Sequence, residues 1–245
     1  MEKTLGDDVV GKYQGAAVLI REGGCFKKPG IVLFLILLLA AAIAGSAITG
    51  ENFRIDRELL KQAETKYGKD AVTRLLEWEE MIRQDKSRTD REKLEKVNHF
   101  FNSRIRFAND SEIWSVSDYW ATPVEFLCKK AGDCEDFAIA KYFTLITMGM
   151  EEEKLNISYV KALQYRIAHM VLTYYSEPDA EPLVLDNLVD TISPASRRTD
   201  LLPVFSFNGS GLWTAKQRGK GQFAGGSDRI KAWQDFQRKM MENKL

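Results

Sequence analysis

The 245-residue chain is poor in the residues that specialised scaffolds depend on. It has three cysteines, too few for a disulfide framework or for a structural zinc site built from four thiolates. It has two histidines, so any imidazole chemistry falls to His99 or His169. It has no excess of charge, since 35 Lys and Arg balance 35 Asp and Glu. That balance argues against nucleic acid as a partner, because dedicated nucleic-acid binders carry a basic excess or a basic stripe. Internal repeats and low-complexity tracts are also missing. What remains is a chain that is 44% hydrophobic, apolar enough to fold and long enough for one sizeable core or two small ones.

The first fifty residues differ from the rest. From Ile31 to Thr49 runs IVLFLILLLAAAIAGSAIT, nineteen residues without a charge, preceded by Arg21, Lys27 and Lys28. A basic flank before an apolar run marks a signal peptide or an N-terminal membrane anchor. The length approaches the ~20 residues that span a bilayer as a helix, while Ala42-Ile43-Ala44 offers a small-x-small cleavage site. Both readings stay open, and both export the rest of the chain, because the positive flank stays cytoplasmic. Residues 1–50 are thus a cytoplasmic n-region with a signal or anchor, and residues 51–245 form the working domain. That domain carries 30 basic and 31 acidic residues, and of the cysteines only Cys128 and Cys134 lie in it.

In the working domain the apolar spacing predicts a helix over residues 52–84, from Leu59, Leu60, Ala63, Val72, Leu75, Leu76, Trp78 and Ile82. Thr89 with Glu92 three places on is a capping-box start, followed by an apolar face of Leu94, Val97, Phe100 and Phe101. His99 lies on this helix, where a histidine is more often a surface or hydrogen-bonded residue than a ligand or base. Thr122-Pro123-Val124-Glu125 opens a short helix ending near Lys130, with Gly132 expected to take a left-handed turn. Asp133-Cys134-Glu135-Asp136 then opens a longer, largely buried helix. Beyond Asn156 the pattern changes to strands at 157–163, 168–175 and 182–186. Residues 208–227 read as loops, and Ser227-Asp228 caps a last helix to about 243. Helices first and antiparallel strands later make the fold class α+β.

One constellation carries chemistry. Cys134 opens a helix, His169 lies in a strand, and Asp186 lies in the next. A thiol reacts as its thiolate, which a helix N-terminus stabilises. A neighbouring histidine takes the proton, and a carboxylate holds that histidine in the right tautomer. Against this, Asp133, Glu135 and Asp136 surround the sulfur with negative charge, which disfavours the thiolate. These acids read either as helix caps or as ligands for Ca²⁺, a hard cation that collects oxygen donors. Cys128 reads as a small buried hydrophobe, since a disulfide to Cys134 would remove the nucleophile.

Three segments, Trp120-Ala121-Thr122-Pro123, then Gly132 through Tyr142, then the His169 and Asp186 strands, resemble the bacterial transglutaminase-like cysteine proteinases, and among them the LapG-type periplasmic proteases. The resemblance covers about residues 52–243 and is most specific over 118–146. It implies a papain-like, transglutaminase-like core with its helical N-terminal part packed against an antiparallel sheet. It implies a Ca²⁺-dependent periplasmic protease, possessing either a free or a membrane-tethered N-terminus, that cleaves the retention segment of a large surface adhesin beside an alanine pair and so disperses biofilm. It also implies a partner, an inner-membrane cyclic-di-GMP receptor of the LapD type that sequesters the enzyme. On the matching positions Cys134 is the nucleophile, His169 the base and then acid, Asp186 the orienting carboxylate, and Asp133, Glu135 and Asp136 hold Ca²⁺. Asp118 is a further candidate ligand, and Trp120 belongs either to the substrate surface or to the core. The backbone N–H of Cys134 suits an oxyanion donor, and small residues at the scissile bond imply a narrow cleft. Transamidation on the same triad and a catalytically silent binding module are the competing functions.

Overall fold

The computed structural model describes residues 53–214 and 221–242. The apolar segment at 31–49 and Cys25 lie outside the described residues. Among the described residues no helix is long and apolar enough to cross a membrane.

The helical half comes first. Helices α1 (Arg57–Tyr67) and α2 (Lys69–Asp85) replace the single helix expected over 52–84. The break is Gly68, whose φ of +83° only glycine adopts without strain, and whose N–H closes α1 on the Glu64 carbonyl. Helix α3 (Asp90–Arg104) starts with the expected capping box, in which the Glu92 side chain accepts from the Thr89 N–H at 3.0 Å. A short helix α4 (Asp110–Ile113) was not expected from the sequence. Helix α5 (Pro123–Lys129) has the Thr122–Glu125 capping box and proline at its first position. Helix α6 (Cys134–Thr147) is buried almost all round, and the Trp78 indole ties α2 to it by donating to Thr144 Oγ1 at 2.9 Å.

The left-handed residue that ends α5 is Lys130 (φ +55°), not Gly132 as expected. Gly132 serves a different need. Strands β1 (Arg106–Phe107) and β2 (Ala131–Gly132) pair in parallel, and a Cβ on Gly132 would lie 2.4 Å from the Phe126 ring and 2.5 Å from Asp136 Oδ2. Glycine lets the chain pass between the core and the first turn of α6.

The second half is an antiparallel sheet. Its strands are β3 (Leu155–Ala162), β4 (Ile167–Tyr174), β5 (Leu183–Leu185), β6 (Ser193–Pro194), β7 (Leu201–Phe207), β8 (Leu212–Thr214) and β9 (Phe223–Gly225), in the order β6-β5-β4-β3-β7-β8-β9. The first three were expected. Strand β7 escaped sequence reading because Pro203 stands inside it; it pairs Val160 where the β3–β7 register shifts, so the missing N–H falls at an irregularity. Strands β8 and β9 occupy the stretch read as loop. Met170, Leu172, Leu155, Ile157 and Phe207 join α2, α3, α5 and α6 in one core cluster, while Val160, Val171 and Val184 form a smaller one. Helix α7 (Lys231–Glu242) closes the β7 end through Trp233, whose ring lies edge-on to Phe207 at 5.2 Å. The fold is α+β, a helical part packed on an antiparallel sheet.

Candidate active site

Cys134 is the first residue of α6, and Asp133 is its N-cap. Burial makes this start crowded with polar demand. Asp136 answers it with both oxygens: Oδ1 accepts from the Ala121 N–H at 2.7 Å and Oδ2 from the Asp133 N–H at 3.3 Å. It therefore does cap the helix, and it also pins the 118–122 segment to the helix start. The Cys134 sulfur donates to Glu135 Oε2 at 3.0 Å. The Met170 backbone of β4, next to His169, is near enough to favour its thiolate, and α6 packs on that strand.

His169 is 2% exposed, and its Nε2 donates to Asp186 Oδ1 at 2.8 Å. Nδ1 is thereby the ring nitrogen left for proton exchange. Asp186 comes directly after β5 and is 1% exposed. Oδ1 also accepts from the Leu188 N–H at 2.9 Å, and Oδ2 accepts from Arg198 Nη2 at 2.7 Å. Burial works against the Asp186 carboxylate, but the hydrogen bonds from His169, Leu188 and Arg198 outweigh it and hold the group down at about 2. Behind it, the Asn102 amide donates to the Asp186 carbonyl at 2.7 Å. Lys141 of α6, buried and donating to Asn98 Oδ1 at 2.8 Å, is pushed down to about 7 by that burial. Sequence reasoning missed Arg198, Asn98, Asn102 and Lys141. Nothing in a single sequence marks them, because each meets Asp186 or its loop across a long chain separation.

The acids at the α6 start gather as expected and are joined by one more. Ligand atoms of Asp133, Cys134 and Glu135 lie within 4.8 Å of one another, as do those of Asp110, Asp133 and Asp136, and those of Asp110, Asp118 and Glu135. Asp110 opens α4, is 1% exposed, and accepts from the Tyr119 N–H at 2.6 Å. Its place in a polar Asn-Asp-Ser-Glu run looks like an ordinary helix start, which is why the sequence did not single it out. Glu135 Oε1 and Asp118 Oδ1 are buried with no hydrogen-bond partner among the described residues. Burial first, then the neighbouring charges, push the carboxyls of Glu135 and Asp136 well up, and burial followed by Glu135 and Asp133 does the same to the Cys134 thiol. Lys239 of α7 lends positive charge to Asp136 and Asp110, and the converging oxygen donors, two of them unpartnered among the described residues, fit a hard divalent cation.

The remaining expectations resolve simply. Trp120 is 4% exposed, its ring stacks on Phe207 at 5.9 Å, and its carbonyl accepts from Lys239; of its two readings, the structure supports the core. Cys128 is a buried free thiol, pushed up to about 11 by that burial. His99 is exposed, 4.0 Å from Asp190.

A cysteine at the start of a helix that packs on the strand of a histidine–aspartate pair, on an α+β frame, is the layout expected of a papain-like thiol enzyme. The model of the family described as "Bacterial transglutaminase-like cysteine proteinase BTLCP" matches residues 73–202. Solved structures of Legionella pneumophila LapG are 41% identical with TM-score 0.65; one covers 75% of this chain and 96% of its own. An EGTA-treated form matches equally, and a calcium-bound form covers 76% and 99%. No curated protein matches. The chain belongs to the bacterial transglutaminase-like cysteine proteinases, and within that cysteine proteinase family it is of the LapG type.

Proposed function

We propose that the protein is an exported, calcium-dependent cysteine endopeptidase that cuts the N-terminal retention segment of a large surface adhesin beside an alanine pair, with Cys134, His169 and Asp186 as its triad. The observation that carries this reading is Cys134 at the start of α6, a helix packed on β4, where His169 is hydrogen-bonded to Asp186. The Cys134 sulfur attacks the scissile carbonyl, His169 delivers its proton to the leaving amine, and water drawn by His169 hydrolyses the thioester. Asp186 keeps the imidazole in one tautomer and steadies its charged form. The Cys134 N–H, at the helix start, faces the developing oxyanion.

Calcium supports the same site. Asp110, Asp118, Asp133, Glu135 and Asp136 are the residues that would hold it, Asp136 also anchoring the loop beside them. Bound there, Ca²⁺ would add positive charge to carboxylates of which only part is offset by Lys239. That LapG has been solved both calcium-bound and EGTA-treated supports calcium involvement in a relative of this chain. Adhesin release is a task of the periplasm, where the enzyme works free or tethered by residues 31–49, under an inner-membrane cyclic-di-GMP receptor that sequesters it.

The test is incubation of the purified full chain with the N-terminal segment of the host's large adhesin, in Ca²⁺ and then in excess chelator. Cutting at an alanine pair that needs Ca²⁺ and is absent in Cys134→Ala supports the reading. Cutting that ignores chelator removes the calcium requirement. Incorporation of an added amine in place of hydrolysis makes the enzyme a transamidase, and no reaction at all makes it a binding module.

A further inference from the structure

Resting on the triad reading, we infer that Arg198 is the positioning residue of this site, a guanidinium aimed by Asp200 that fixes the plane of the Asp186 carboxylate so that one oxygen stays on His169 Nε2. Arg198 is 6% exposed and stands at the end of a 3-10 turn at Ala195–Arg197, which closes on it through the Arg198 N–H to the Ala195 carbonyl at 3.0 Å. One face of the guanidinium meets Asp200 twice, Nε to Oδ1 at 2.9 Å and Nη2 to Oδ2 at 2.7 Å. The same Nη2 reaches Asp186 Oδ2 at 2.7 Å. This two-point grip on Asp200 removes the rotational freedom that a single contact would leave. Asp186 then has both oxygens engaged, with Oδ1 on His169 and Leu188 and Oδ2 on Arg198.

The arrangement matters because a buried carboxylate that turns about its own axis would let the imidazole exchange tautomers. The wrong tautomer puts the proton on the nitrogen that must accept one. The other charged groups facing Asp186 do not replace Arg198. Lys141 Nζ is engaged by Asn98, and Asp190 is a like charge on the same loop. His169 itself is neutral for part of each turnover. Arg198 is the permanent cation, since a guanidinium keeps its proton throughout.

The chain has only two histidines, which makes the inference readable without substrate. In full chain labelled with ¹⁵N-histidine, the His99→Gln background leaves one imidazole to observe. Wild-type Arg198 should give His169 as a single Nε2–H form with a downfield proton. Arg198→Met should collapse that signal to an averaged tautomer, and Arg198→Lys, which keeps charge but not the fork, should restore it in part. On the adhesin segment, kcat should fall about 10- to 100-fold in Arg198→Met with KM held, the usual cost of losing an outer partner of a functional group. Asp200→Asn, on the half-exposed side of Arg198, should show a smaller loss of the same kind. It serves as the deciding variant where Arg198→Met does not fold. A wild-type His169 signal in folded Arg198→Met overturns the inference, whether or not kcat falls, because a merely structural arginine moves the melting temperature and not the tautomer. The spectrum is read without any cleavage, so failure of the protease reading leaves the Arg198 result standing on its own.

Discussion

Asp186 and Glu135 are each 1% exposed, yet the fold treats them in opposite ways. Asp186 is surrounded by donors from His169, Leu188 and Arg198, and its carboxyl sits below the usual carboxylate range. Glu135 lies among Asp110, Asp118, Asp133 and Asp136, and burial together with like charge pushes it up. Equal burial therefore decides nothing. The sign depends on what the protein supplies as partner, since a desolvated carboxylate is tolerated only when hydrogen bonds or opposite charge replace the water it lost. The Asp186 side is completed by the chain itself. The Glu135 side gathers carboxylates with an unpartnered oxygen among the described residues, which is the physical basis for proposing calcium there.

The largest effects should come from breaking the line between the two sides. Cys134→Ala and His169→Ala should each lower kcat about 10,000-fold, with the double variant little worse, because the residues act as one unit. Losses in the double that multiply would show that the two do not work together. Calcium should next sharpen the contrast. At ~100 times its Kd it should stabilise the fold by about 2.7 kcal/mol, roughly 5–10 °C in Tm, and Glu135→Gln should abolish most of that shift. The sign with pH comes from the raised carboxyls. They hold protons more tightly folded than unfolded, so without calcium stability declines as pH climbs out of the ordinary carboxylate range, and the calcium shift grows over the same window.

Asp186 predicts the reverse trend at acid pH. Its carboxyl moves from 3.8 down to about 2, so it contributes about 2 kcal/mol that is present above the higher value and lost as pH falls through the lower. Acid titration of Asp186→Asn, tracked by circular dichroism, should lack that step. An identical acid limb in wild type and variant would mean the donors around Asp186 do not hold its charge. The smallest effect is a control away from both sides. Gly68→Ala should cost about 1–3 kcal/mol from backbone conformation alone, because nothing lies within 4 Å of the added carbon. Calcium response and kcat should not change.

Local chemistry was legible in the residues and distant chemistry was not. The capping boxes at Thr89 and Thr122, the α6 start at Cys134 and the alternation of β4 need neighbours only three or four positions away. Those features put Cys134 at a helix start and His169 in a strand, and the family resemblance then assigned them and Asp186 their roles. Strand β7 was hidden by Pro203, whose acceptability depends on an irregularity in another strand. Gly132 was read as a turn glycine because its true constraint, the Phe126 ring and the Asp136 carboxylate, appears only once α5 and α6 are packed. Asp110 and Asp118 join Glu135 across 25 and 17 positions of sequence, so no spacing rule points to them as a set.

By itself the sequence determined where α3, α5 and α6 start, which residues are candidates to bear the chemistry, and an α+β class for the domain, because propensity, capping and periodicity act over one or two turns of chain. Tertiary structure alone decided that Trp120 packs in the core, that Arg198 and not Lys141 holds Asp186, and that one buried carboxylate is partnered while another is crowded by its own kind. Those outcomes depend on which groups replace lost water at a buried atom, and that is set by residues far apart in the chain.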